Sequence, residues 1–89
     1  MNDLEKLRTE IDKVDAEIVE AVAARTNITY SISKYKVRHN IQVVDEKREA
    51  EVYKKVRDLA RKNYIEEDFA EELYKIIIAY CRNIQKLKH

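Results

Sequence analysis

Arg25 and Lys36 stand eleven positions apart in a stretch that reads as helix. Eleven residues make almost three full turns, so both side chains leave one face, with backbones about 16 Å apart. Arg25 interrupts an otherwise apolar row, where a guanidinium is costly to bury unless something pairs with it. Two readings are open at this point. Either Arg25 is satisfied within the protein, by an ion pair or by snorkelling to the surface, or it faces a pocket that receives an anion. Lys36 alone reads as a solvated lysine near a helix end. Taken together, with no carboxylate on the row between them, the two cations repel one another unless an anion intervenes, and their long side chains can bracket one small molecule.

Residues that other chemistries need are missing. His39 and His89 are isolated, no group has the spacing of a metal site, and Cys81 has no base placed to make it a nucleophile. Read alone, Cys81 is a small buried residue, and Gln85, one turn later, is a polar residue on a helix flank. The chain has no glycine and no proline, which excludes Gly-rich phosphate loops and dinucleotide fingerprints. No metal and no cofactor are expected.

The elements that must position these residues are helices. Leu4, Leu7, Ile11, Val14, Ile18, Ala21, Arg25, Ile28, Ile32 and Tyr35 follow an unbroken three-four spacing, which predicts one long helix. Asn2 with Glu5 forms a capping pair at its start, and Arg38-His39-Asn40 supplies basic residues and a left-handed-tolerant Asn at its end. Asp45 reads as the N-cap of a second helix running to about Lys62, with Val52, Val56 and Leu59 on its apolar face beside Tyr53 and Ala60. Asn63-Tyr64-Ile65 is a turn. Glu66, Glu67 and Asp68 suit the positive end of a third helix, whose stripe is Phe69, Leu73, Ile76, Tyr80, Ile84 and Leu87, widened by Ile77.

At about 1.5 Å per residue these helices measure roughly 54, 27 and 33 Å. Neither short helix can cover the long one, whose row is apolar from end to end. A bend folding the long helix on itself would cover it, but no glycine or proline marks one. A second copy of the chain is the natural cover. The expected fold is therefore all-α, with one long and two shorter helices, in a homodimer.

Charged residues make up 39% of the 89 residues but nearly cancel, to +1. This lacks the basic footprint of a nucleic-acid-binding protein and fits solvated helix faces. No apolar run is long enough to span a bilayer, and Met1-Asn2-Asp3-Leu4-Glu5 does not read as a signal peptide. A single cysteine permits no internal disulfide and suits a reducing, cytoplasmic setting.

In order along the chain, Leu7-Arg8, Ile11-Asp12-Lys13-Val14-Asp15, Ile18, Ala24-Arg25, Lys36, Asp45-x-x-Arg48-Glu49 and Gln85 resemble the all-α chorismate mutases. The resemblance spans nearly the whole chain and implies one such helical domain over residues 1–89. It implies an interlocked homodimer that converts chorismate to prephenate, toward phenylalanine and tyrosine, with two equal sites. Arg25 and the partner's Arg8 would hold the two substrate carboxylates. Lys36 and Gln85 would donate to the ether oxygen of the breaking bond. Glu49 and the backbone around Asp45 would hold the ring hydroxyl, with Arg48 on the same wall. Arg8 and Arg25 are about 25 Å apart on one helix, so they cannot share a ligand within one chain, although an antiparallel partner can bring them together. Without the resemblance, Arg8 is an ordinary exposed arginine near Glu5 and Asp12. A larger enzyme of the same pathway is a conceivable regulatory partner.

The sequence departs from this pattern twice. Cys81 stands where relatives often have a small polar residue, so a donor near one carboxylate is weakened or replaced. The loop Asn40-Ile41-Gln42-Val43-Val44 lacks the Gly or Pro common there. Two rival functions fit the same residues less closely: an isochorismate pyruvate lyase on this fold, and a non-catalytic helical dimerisation module.

Overall fold

The computed structural model describes residues 2–88, with side chains as far as Lys86; His89 and the side chain of Leu87 lie outside the described residues. Three helices follow in order: α1 (Asp3–Arg38), α2 (Glu46–Lys62) and α3 (Glu67–Lys88). Their ends are built as the capping residues predict. The Asn2 side-chain oxygen accepts from the Glu5 backbone N–H at 2.8 Å, and Asp45 Oδ1 accepts from that of Arg48 at 3.0 Å. Each satisfies one of the donors a helix start leaves open.

Both α1 and α2 end in the same motif. The Ile41 N–H reaches back to the Lys36 carbonyl and the Ile65 N–H to that of Ala60, each at 2.9 Å. This pattern requires a left-handed residue just past the helix. Asn40 (φ 55°) and Tyr64 (φ 60°) take that conformation. Asn does so readily; Tyr pays for it with a Cβ contact that glycine lacks.

α2 and α3 form an antiparallel hairpin around Val56, Ala60 and Ala70, flanked by Val52 and Tyr74. Arg57 pairs with Asp68 at 2.6 Å across its outer edge, and Arg61 approaches Glu67 at 3.6 Å. α3 also packs, parallel, on the C-terminal half of α1. A polar α1 row contributes to that contact: Arg25, Thr29, Ser33 and Lys36. Thr29 and Ser33 are buried. Arg25 is thus the first member of a polar row turned toward α3, and not only an interruption of the apolar one.

The long apolar row of α1 is largely uncovered within the chain. Every residue from 2 to 21 is exposed, and Leu7, Ile11 and Ile18 keep 56–59% of their surface. On α3, most of the expected stripe also faces outward: Phe69, Leu73, Ile76 and Tyr80 are exposed, whereas Ala70, Ile78, Cys81 and Ile84 are buried. Leu59 of α2 is exposed as well. α3 carries apolar residues on two faces, and the more regular row is the one its own chain leaves open. The molecule is correspondingly elongated, 57 × 24 × 15 Å, with a radius of gyration of 16.5 Å. A compact chain of this length would have about 12 Å.

Candidate active site

Where α1 and α2 diverge over α3, a pocket of about 480 Å³ opens, a size suited to a small organic ligand. Seven of the eight residues singled out in the sequence line it: Arg25, Lys36, Asp45, Arg48, Glu49, Cys81 and Gln85. Arg8 does not. It is exposed on the uncovered half of α1.

Each side chain is held by a specific neighbour. Arg25 Nη1 donates to Cys81 Sγ at 3.0 Å, and its guanidinium lies 5.8 Å from the centre of the Tyr74 ring. Thr29 Oγ1 approaches the same sulfur at 3.3 Å. Among the described residues no carboxylate lies within ion-pair distance of Arg25. A sulfur and a ring face orient the guanidinium. Arg25 is thus anchored by its neighbours without an ion pair among the described residues. Cys81 works here as an acceptor, so the residue that departs from the family's small polar one is the one that anchors Arg25.

Three turns along, Lys36 Nζ donates to the Val43 carbonyl at 2.7 Å and to Gln85 Oε1 at 3.0 Å. The first contact fixes the glycine-free loop against α1. The second brings the two donors together from helices 49 positions apart in sequence. With its oxygen on the ammonium, the Gln85 amide presents its NH₂ as donor.

The opposite wall is α2. Asp45 is occupied with its capping bond. Arg48 lines the pocket and also reaches Glu51 at 3.5 Å near the surface. Glu49 is gripped by Arg82, whose Nε meets Oε2 at 2.7 Å while Nη2 meets Oε1. That hydrogen bond holds the Arg82 guanidinium above its ordinary pKa, outweighing the opposing effect of burial. Sequence reasoning missed Arg82 and Thr29. Arg82 sits one position past Cys81, and 33 residues separate it from Glu49, so no local spacing links the two. The signal for Thr29 is its place on the helix face that Arg25 and Lys36 share.

The lining carries four cations, Arg25, Lys36, Arg48 and Arg82, against two carboxylates, Asp45 and Glu49. The excess positive charge suits an anion, and the hydrophobic side chains Ile28, Ile32 and Val52 among them suit a carbon skeleton. Among the described residues no group of three or more His, Cys, Asp or Glu is placed to hold a metal ion, and no helix is long and apolar enough to cross a membrane.

Comparison with known proteins gives the same direction. The chorismate mutase type II family matches residues 7–86. The chain is similar to a chorismate mutase of Methanocaldococcus jannaschii, 25% identical over 83 residues that cover 93% of this chain and 84% of that one. It is similar to a 4-amino-4-deoxychorismate mutase of Streptomyces venezuelae, 28% identical over 97% of this chain and 84% of that one. It is also similar to a bifunctional chorismate mutase/prephenate dehydratase of Buchnera aphidicola, 31% identical over 86% of this chain but only 20% of that longer one. The match runs through all three helices and every residue of the pocket, and the chain belongs to the chorismate mutase type II family.

Proposed function

We propose that the protein is a chorismate mutase, rearranging chorismate to prephenate in one non-covalent step within aromatic amino acid biosynthesis. The observation that carries this reading is the meeting of Lys36 and Gln85 at one end of a cationic pocket, three turns from Arg25. The rearrangement needs no nucleophile, metal or general base. It needs a flexible dicarboxylate held in its compact conformer and preorganised donors aimed at the ether oxygen, where negative charge grows. Arg25 serves the first task through its planar fork. Lys36 and Gln85 serve the second, with Glu49 and the Asp45 region taking the ring hydroxyl and Arg48 closing the wall.

The working form in this reading is an intertwined homodimer. The exposed rows on α1 and α3 support it, since apolar surface left in water costs about 25 cal/mol per Å². So does the position of Arg8, which only a second chain can bring to the pocket. Arg8 of the partner subunit then holds the second carboxylate.

The test is an ultraviolet assay with chorismate, run beside isochorismate. Loss of chorismate absorbance with prephenate formed is the expected result. Salicylate from isochorismate alone would make the protein a pyruvate lyase, and silence with both would leave a dimerisation module or a pocket for another anion. A second mutase substrate, 4-amino-4-deoxychorismate, has a specific observation in its favour, the similarity over 97% of this chain and 84% of the Streptomyces venezuelae mutase named for it.

A further inference from the structure

Arg82, which grips Glu49, is the charged residue of the pocket lining that the mutase reading leaves unused. Both residues line the pocket, and the two guanidinium nitrogens fix the carboxylate in one plane and one rotamer. Glu49 also keeps acceptor capacity for a ligand's donor. Asp45 Oδ1 takes the Arg48 backbone N–H. Gln85 Oε1 and the Val43 carbonyl take Lys36, and Cys81 Sγ takes Arg25. A carboxylate offers about four lone-pair sites, of which Arg82 engages two. A ligand group reaching this corner therefore meets an acceptor and a cation side by side.

We infer that Arg82 is a specificity-determining positioning residue, which holds Glu49 to receive a ring hydroxyl and disfavours an amine at the same carbon. The inference rests on the mutase reading above, in which the substrate's carboxylates and ether oxygen occupy the other cations and leave its ring substituent to Glu49. A hydroxyl is both donor and acceptor, so it can donate to Glu49 and accept from the neighbouring guanidinium. An aliphatic amine is mostly an ammonium at neutral pH. It only donates, the carboxylate it would meet is already neutralised by Arg82, and a second cation stands beside it. The two substrates named for this chain's relatives, chorismate and 4-amino-4-deoxychorismate, differ by that one exchange of hydroxyl for amine. A pocket with a clamped Glu49 takes the hydroxyl; one with an unclamped Glu49 offers its full negative charge to the amine.

The experiment is to measure kcat and KM on both substrates for the wild-type protein, Arg82→Leu, Arg82→Gln and Arg82→Lys. The wild type is expected to prefer chorismate. Arg82→Leu and Arg82→Gln should each move the kcat/KM ratio about tenfold toward the amino substrate, a figure limited by solvent screening of a side chain at the pocket rim. The shift should come chiefly from a lower KM for the amine, and Arg82→Lys should return the ratio toward the wild-type value. Loss of folded protein lowers both rates together and cancels in the ratio, and the glutamine variant guards against a leucine variant that fails to fold. A wild type that prefers the amine, or a ratio unmoved in the foldable variant, overturns the inference while leaving the mutase standing. A wild type inactive on both substrates overturns the mutase reading and the inference with it.

Discussion

The two halves of α1 share one unbroken helix and differ in almost everything else. From Asp3 to Ala21 all the residues are exposed, and the apolar row faces outward. From Val22 to Arg38 a polar row turns inward, with Thr29 and Ser33 buried and Arg25 and Lys36 anchored to α3 residues. The more hydrophobic face is the one without cover inside the chain, and the covered face is the one built from Arg, Thr, Ser and Lys. The difference teaches that the best periodicity in a sequence need not mark a contact within the helix's own chain.

This division can be broken most directly in the N-terminal half. With a second chain covering Ile11, Ile11→Asp should abolish dimerisation at micromolar concentration and lower stability by more than about 3 kcal/mol, since each dimer loses the burial twice. Sedimentation and circular dichroism would report it. If Ile11 truly faces water, the substitution should stay within about 0.5 kcal/mol, and the halves would differ only in decoration. In the C-terminal half, Lys36→Ala should lower kcat by about 10²–10³-fold, as the loss of a preorganised donor does, while helicity and oligomeric state hold. A collapse of the circular dichroism signal in step with the rate would make Lys36 structural, through its bond to the Val43 carbonyl.

The halves should also depend on one another across chains. Arg8→Ala and Arg25→Ala homodimers should each be nearly inactive. Mixed after subunit exchange they should recover roughly a quarter of wild-type activity, because half the dimers are mixed and each holds one intact site. No recovery despite demonstrated exchange would confine each site to one chain. The smallest effect is expected at Ser33, whose hydroxyl is fully buried with no hydrogen-bond partner among the described residues. Ser33→Ala should raise stability by about 1 kcal/mol, read as a higher denaturation midpoint. A loss of that size would mean the hydroxyl has a partner in the assembled protein.

Much of this architecture is legible in local sequence because its determinants are local. Asn2, Asp45 and the acidic start of α3 act on backbone within a few residues, so the helix limits follow from them. Arg25 and Lys36 share a face by arithmetic alone. What escaped needs two helices at once. Whether Phe69 or Ala70 meets α2 depends on which of two apolar faces α3 turns inward, and the small residue wins because it lets the helices approach closely. Arg82 reads as one more surface arginine until Glu49 is brought against it. Arg25 taking a sulfur as anchor was beyond the pattern, since it follows from how α3 rotates to present Cys81.

Both turns of this chain close in the left-handed conformation without a glycine, one with Asn40 and one with Tyr64. A residue alphabet lacking glycine and proline is thus sufficient to draw two reversals of direction, provided the six-to-one hydrogen bond that ends each helix holds the αL residue in place. The turns are specified by the helices they terminate more than by the letters that occupy them. For a primitive or deliberately reduced vocabulary, an up-down-up helical topology is accordingly an accessible grammar, and a pocket lined by four cations can be written in it.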